Sequence, residues 1–240
     1  MITLLADAKQ LVLLPGLDGT GRLFANLRAE FPPNVRAFVV TYPADRFLSY
    51  PDLIPVVEQM LPRNGPFFLV AESFSTPLAV EIAATHPANL AGFIICAGFI
   101  TNPVPGFGWL ARIIARPWVF SGTPPGLLIG YFLIGKGADR RIEHDLRAAL
   151  RLVSPSVIGD RIRAVIACDV THAFSRIRAP IMFIQPQFDR LVASNACQQM
   201  RNLQPEMEIV RIAAPHLALQ VDPREAARAI TEFIGRVSPP

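Results

Sequence analysis

The stretch that decides the fold is FLVAESFSTPLAV, Phe68 to Val80. An apolar run stops at Ser73, and a helix-patterned segment follows at once. An unbroken apolar run of this length suits a strand covered on both faces. A serine at its tip has two possible uses. It can find a partner in the core, where an unpaired hydroxyl is costly. Alternatively, a sharp strand-to-helix turn can hold it out as a nucleophile.

Working outward, the same alternation recurs. QLVLLPG ends at Gly16 and VRAFVVTYP ends at Pro43; a helix is expected over Pro51–Leu61. PFFLVAES leads into a helix from about Ser75 to Thr85, and LAGFIICAGF runs from Leu90 to Phe99. Between Asn102 and about Arg178 no strand is legible, but in DLRAALRLV the residues Leu146, Ala149, Leu150 and Val153 share one helical face. Then APIMFIQPQFD reads as a strand, SNACQQMRNLQ as a helix and MEIVRIAAPH as a strand. PREAARAITEFIGR is the last helix, with Ala226, Ala227, Ile230, Phe233 and Ile234 toward the sheet. This pattern predicts an α/β fold, a mostly parallel sheet covered by helices on both faces. Residues 1–101 and 178–240 form the core, and 102–177 form a helical cap inserted after the fourth long strand.

Composition narrows the function classes. At 240 residues, with 51% hydrophobic and 18% charged, the chain can bury a large core and is not disordered. The net charge of +4 comes from scattered arginines such as Arg140, Arg141, Arg161 and Arg163. They read as a solvated basic surface, and no nucleic-acid partner is expected. Cys96, Cys168 and Cys197 lack metal-ligand spacing, so no metal or cofactor is called for and a reducing compartment fits. MITLLADAKQ has no signal-peptide pattern, which points to a cytoplasmic location. Pro117–Gly135 carries no charge but is broken by Pro124, Pro125, Gly126 and Gly130. It suits an apolar lid better than a membrane span, with weak contact to a membrane surface left open. No pattern fixes the oligomeric state.

Ligands of an open parallel sheet bind at the carboxyl ends of its strands. Ser73, Asp189 and His216 all fall at such ends, in the order Ser, Asp, His. That order, with the strand–Ser–helix context, resembles the α/β-hydrolase family, in which the serine occupies a G-x-S-x-G elbow. The similarity runs from Leu11 to Ile234. Here the elbow reads Ala71-Glu72-Ser73-Phe74-Ser75, so the two glycines are replaced by the next smallest residues. The resemblance implies a serine nucleophile, a His216 base and an Asp189 that orients the imidazole. It also implies an oxyanion hole from the backbone N–H groups of Phe74 and Leu17, the latter in PGLDGTG, Pro15 to Gly21. That loop lacks both the Walker and the dinucleotide glycine spacing.

The remaining polar residues have structural readings. Asp222 precedes Pro223 and reads as a helix N-cap, leaving Asp189 as the favoured acid. Asp18 is expected to cap its own turn. His86, His144 and His172 read as structural, and Glu72 has no assigned role. The cap is rich in aromatic and aliphatic residues; Trp109, Phe120 and Phe132 are the candidate pocket lining. The expected activity is hydrolysis of small apolar carboxylic esters through an acyl-enzyme. LPGLDGTG with AESFS is also similar to the hydrolase-like part of phytyl ester synthases, which keeps acyl transfer open. Thioesterase or C–C hydrolase activity on the same three residues, and a non-catalytic binder on the same scaffold, are the other readings.

Overall fold

In the computed structural model, which describes residues 8–104, 133–135, 139–193 and 195–237, the apolar runs form one sheet. The strands are β1 (Lys9–Leu14), β2 (Val35–Val39), β3 (Phe67–Glu72), β4 (Leu90–Cys96), β5 (Ile181–Pro186) and β6 (Glu208–Ile212). All pair in parallel, in the order β2-β1-β3-β4-β5-β6. Every residue of β3 and β4 is buried, as continuous apolar sequence demands of central parallel strands. The edge strands β2 and β6 are only partly covered and carry Arg36 and Arg211.

Alternate side chains feed two cores. Val12, Leu14, Leu69 and Ala71 pack on the face held by α2 (Tyr50–Glu58) and α3 (Thr76–Ala84). Leu11, Leu13, Phe68 and Val70 pack on the other face with Leu27 of α1 (Ala25–Ala29). The last helix of the chain lies on that second face through Ala226, Ala227, Ile230, Phe233 and Ile234, the expected stripe. Truncating a buried Phe such as Phe233 to Ala costs about 3–5 kcal/mol.

A helical insertion follows β4. Its described helices are α4 (Arg140–Arg151), α5 (Pro155–Ala167) and α6 (Thr171–Ser175). Leu146, Ala149 and Val153 are buried, with Leu150 half-buried beside them. Val170, Ala173, Phe174 and Ile177 already pack into the core of β3 and β4. No described helix is long and apolar enough to cross a membrane. Residues 117–132 of the uncharged stretch lie outside the described residues, as does the segment Ile2–Leu5. After β5 come α7 (Ala196–Leu203), then β6, the short α8 (Ala218–Val221) and α9 (Pro223–Arg236).

Register places the site. Leu14 pairs with Ala71, Glu72 with Cys96, Cys96 with Ile184, and Pro186 with Ile212. The strands therefore end at one level, and their following loops form a common rim. β1 leads to β2 on one side while β3 leads to β4 on the other, so the topological switch lies between β1 and β3. Ligand crevices of open α/β sheets form at such a switch. Ser73 and the Pro15–Gly21 loop flank it.

Candidate functional site

Ser73 follows β3 directly and opens a short 3-10 turn, Ser73–Ser75, that runs into α3. Its φ is 47°, in the left-handed region that costs an L-residue roughly 1–2 kcal/mol. Packing holds it there: Phe74 and Ser75 are buried, and Tyr50 Oη donates to the Phe74 carbonyl at 3.0 Å. Ser75, the last residue of the elbow, uses its hydroxyl. Ser75 Oγ donates to the Pro15 carbonyl and accepts from Tyr42 Oη at 2.6 Å. Burial pushes the Tyr42 phenol well up, so it remains a donor. The side chain larger than glycine thus ties the elbow to the loop after β1.

On the opposite side of Ser73, two loops are stitched by backbone bonds. Gln187 N donates to Ile212 O at 2.9 Å and Phe188 N to Ala214 O at 3.0 Å. This brings Asp189, after β5, beside His216, after β6. His216 Nδ1 lies 2.8 Å from Asp189 Oδ2, and His216 Nε2 lies 2.9 Å from Ser73 Oγ. An ionised carboxylate only accepts, so Nδ1–H donates to Asp189 and Nε2 is left to accept the Ser73 proton. Asp189 Oδ1 accepts from Leu191 N at 2.8 Å and Val192 N at 3.1 Å, which fixes its plane. His216 is 4% exposed, so the pair is shielded from water and Coulomb coupling across it is strong. A hydroxyl bonded to such an imidazole can lose its proton as the oxygen attacks.

The remaining sequence candidates divide. Asp222 Oδ1 accepts from Glu225 N at 3.1 Å, the expected helix cap. Asp18 Oδ1 accepts from Thr20 N at 2.8 Å and from Thr20 Oγ1, the expected turn cap. Burial raises the Asp18 pKa against those bonds. His86 sits at φ 56° just past α3, and His144 is exposed on α4 against Asp145. Phe74 is buried, and Leu17 sits in the turn after β1. Trp109, Phe120 and Phe132 lie outside the described residues.

Among the buried polar groups that sequence reasoning leaves unplaced, Arg161 and Glu72 carry ionisable side chains. Arg161, expected on a solvated surface, is instead 2% exposed and inside the site. Its Nη1 donates to the carbonyls of Leu17 and Asp18, and its Nη2 to that of Pro43. Its guanidinium also lies 5.8 Å from the Tyr42 ring centroid and 5.7 Å from that of Phe74. The reason is helical phase: Val157 and Ile158 stand four and three residues before it on the buried face of α5. That phase was the available signal. Glu72 is 1% exposed behind the elbow, where Gln220 Nε2 donates to its Oε2 at 3.3 Å. Burial lifts its pKa to about 7, with the Gln220 bond opposing.

No protein-family model and no curated protein sequence matches the chain. Solved structures do. The enol-lactonase from Burkholderia xenovorans LB400 superposes with a TM-score of 0.83 at 13% identity, over 96% of this chain and 93% of that one. A thermophilic esterase from Thermogutta terrifontis gives 0.78 at 18% identity, over 95% and 89%. MenH from S. aureus gives 0.77 at 15% identity, over 95% and 94%. The chain has the α/β-hydrolase fold, with a helical insertion after β4.

Proposed function

We propose that the protein is a serine hydrolase of carboxylic esters, working through an acyl-enzyme. One observation carries the reading: the continuous hydrogen-bonded line from Ser73 Oγ through His216 to Asp189, 2.9 and 2.8 Å long. Ser73 Oγ attacks the ester carbonyl while His216 Nε2 takes its proton. The imidazolium then returns that proton to the departing alkoxide, and Asp189 stabilises the charge meanwhile. Water, deprotonated by the same imidazole, attacks the acyl-enzyme; the acyl–Oγ bond breaks, the imidazolium returns the proton to Ser73 Oγ, and the acid leaves. The Phe74 and Leu17 N–H groups receive the oxyanion in both steps. The solved structures of the same fold include an esterase and an enol-lactonase, which agrees with ester chemistry.

The proposed substrates are esters with an apolar acyl chain, held by the apolar residues of the insertion, Trp109, Phe120 and Phe132 among them. Each buried methylene contributes about 0.8 kcal/mol. Butyrate should therefore exceed acetate in kcat/KM by about tenfold across a p-nitrophenyl ester series from two to twelve carbons. If acetate is the best substrate, the apolar acyl pocket is wrong. Adding a long-chain alcohol separates hydrolysis from acyl transfer: transfer yields the new ester, and hydrolysis yields only the acid.

A further inference from the structure

The turn that carries Leu17 is held at every carbonyl from Pro15 to Asp18. Ser75 Oγ donates to Pro15 O, and Gly19 N donates to Gly16 O at 3.0 Å. Arg161 Nη1 donates to Leu17 O at 2.9 Å and to Asp18 O at 2.8 Å. Gly19, at φ 68°, leaves room for this approach, since a Cβ there would meet Arg161 Nη1 at 2.6 Å. A buried cation usually faces a carboxylate. This one also feels the Asp18 carboxylate, but its hydrogen bonds go to backbone: Nη1 to two carbonyls of the turn and Nη2 to Pro43 O.

The connectivity of the peptide units gives those bonds a direction. The Asp18 carbonyl and the Gly19 N–H belong to one peptide unit. The Gly16 carbonyl and the Leu17 N–H belong to another. The hydrogen bonds therefore run from the guanidinium to Asp18 O and from Gly19 N to Gly16 O, and end at Leu17 N–H, which has no partner among the described residues. Each bond in such a chain polarises the next, by about 10–30%. Across a trans peptide the C=O and N–H point opposite ways, so holding Gly16 O inside the turn aims Leu17 N–H outward. Pro15 O, held by Ser75, keeps that end of the turn against the elbow.

We propose that Arg161 is a positioning residue that α5 of the insertion delivers to the turn, where it orients and polarises the Leu17 N–H through two peptide units. The inference rests on the serine-hydrolase reading above. Docking of the insertion and completion of the oxyanion site are then one event. An insertion that only roofed the substrate would not need this cation.

The test compares wild type with Arg161→Met and Arg161→Lys. Acylation is followed by the p-nitrophenol burst from p-nitrophenyl butyrate and by fluorophosphonate labelling of Ser73. Affinities are measured for n-butylboronic acid, which forms a tetrahedral anion on the serine, and for butyramide, which does not. Removing a whole oxyanion donor costs about 10²–10³ in rate. Weakening and loosening one should slow Arg161→Met acylation by roughly 10- to 100-fold. Boronate affinity should fall in parallel, and butyramide affinity should stay within about threefold. Arg161→Lys, which keeps the charge but not the fork, should fall between. If Arg161→Met does not fold by circular dichroism, Arg161→Lys decides alone. A folded variant that acylates within twofold of wild type, or that loses boronate and butyramide affinity equally, overturns the assignment. A wild type unlabelled at Ser73 overturns the hydrolase reading itself.

Discussion

The two flanks of Ser73 are built by opposite means. On the β5–β6 flank, Asp189 and His216 sit on loops joined by backbone bonds and form one hydrogen-bonded line whose far end is Ser73. On the β1 flank, the turn from Pro15 to Gly19 makes no side-chain hydrogen bond to the serine and is held from outside, by Ser75 and Arg161. In the proposed reaction the first flank moves a proton, so its groups must have the right protonation states. In that reaction the second only presents N–H groups, so it needs rigidity. Rigidity in a glycine-bearing turn has to come from elsewhere in the chain, here from a helix 144 positions away in sequence from Leu17.

The largest effects are expected on the first flank. Ser73→Ala should lower kcat on any cleaved ester by about 10⁶-fold, since removing the nucleophile of a coupled set costs about as much as removing the set. Retention of more than a tenth of wild-type kcat would assign the nucleophile elsewhere. Asp189→Asn should cost roughly 10⁴-fold, because the amide can hold the wrong imidazole tautomer. Asp222→Asn, which alters only a helix cap, should leave kcat within about threefold and lower stability by ~1 kcal/mol or less. The reverse ranking of the two variants would move the acid role to Asp222.

Smaller effects are expected behind the elbow and on the second flank. Glu72 titrates near 7 when folded and near 4.5 as an ordinary glutamate. Below about pH 4.5 both states hold the proton, and it contributes no difference. As pH rises from there to about 7, the unfolded chain releases its proton first, so stability falls. Above pH 7 the loss is complete, at roughly 3 kcal/mol. Glu72→Gln removes this titration. Between pH 5 and pH 8 the wild-type Tm should drop by roughly 6–12 °C more than that of the variant. Parallel Tm curves would mean Glu72 does not titrate in that window. Tyr42→Phe deletes one donor to Ser75 while Ser75 keeps Pro15. It should cost about 1 kcal/mol of stability. A kcat loss beyond tenfold would show that the second flank depends on Tyr42 as well as on Arg161.

The contrast also explains what was legible in the sequence. Strands announced themselves as apolar runs, and the strand-end rule picked out Ser73, Asp189 and His216, which fold together from distant positions. The buried stripe of α9 followed from its periodicity. Arg161 did not, because its partners are backbone carbonyls, which every residue possesses and no sequence distinguishes. Only its phase behind Val157 and Ile158 marked it. Ser75 looked like a steric stand-in for glycine; its hydroxyl bonds to Tyr42 and Pro15 needed the tertiary fold to be seen. Glu72 gave no signal, since its environment is assembled from Gly16, Gln220 and the elbow.

The central claim is that His216 activates Ser73, and covalent labelling tests it most directly. Wild-type protein treated with a fluorophosphonate and mapped by peptide mass spectrometry should carry one adduct, on Ser73. His216→Ala should label more slowly by at least about 10³-fold while keeping its fold. An adduct on another serine, or a His216→Ala rate equal to wild type, would contradict the claim.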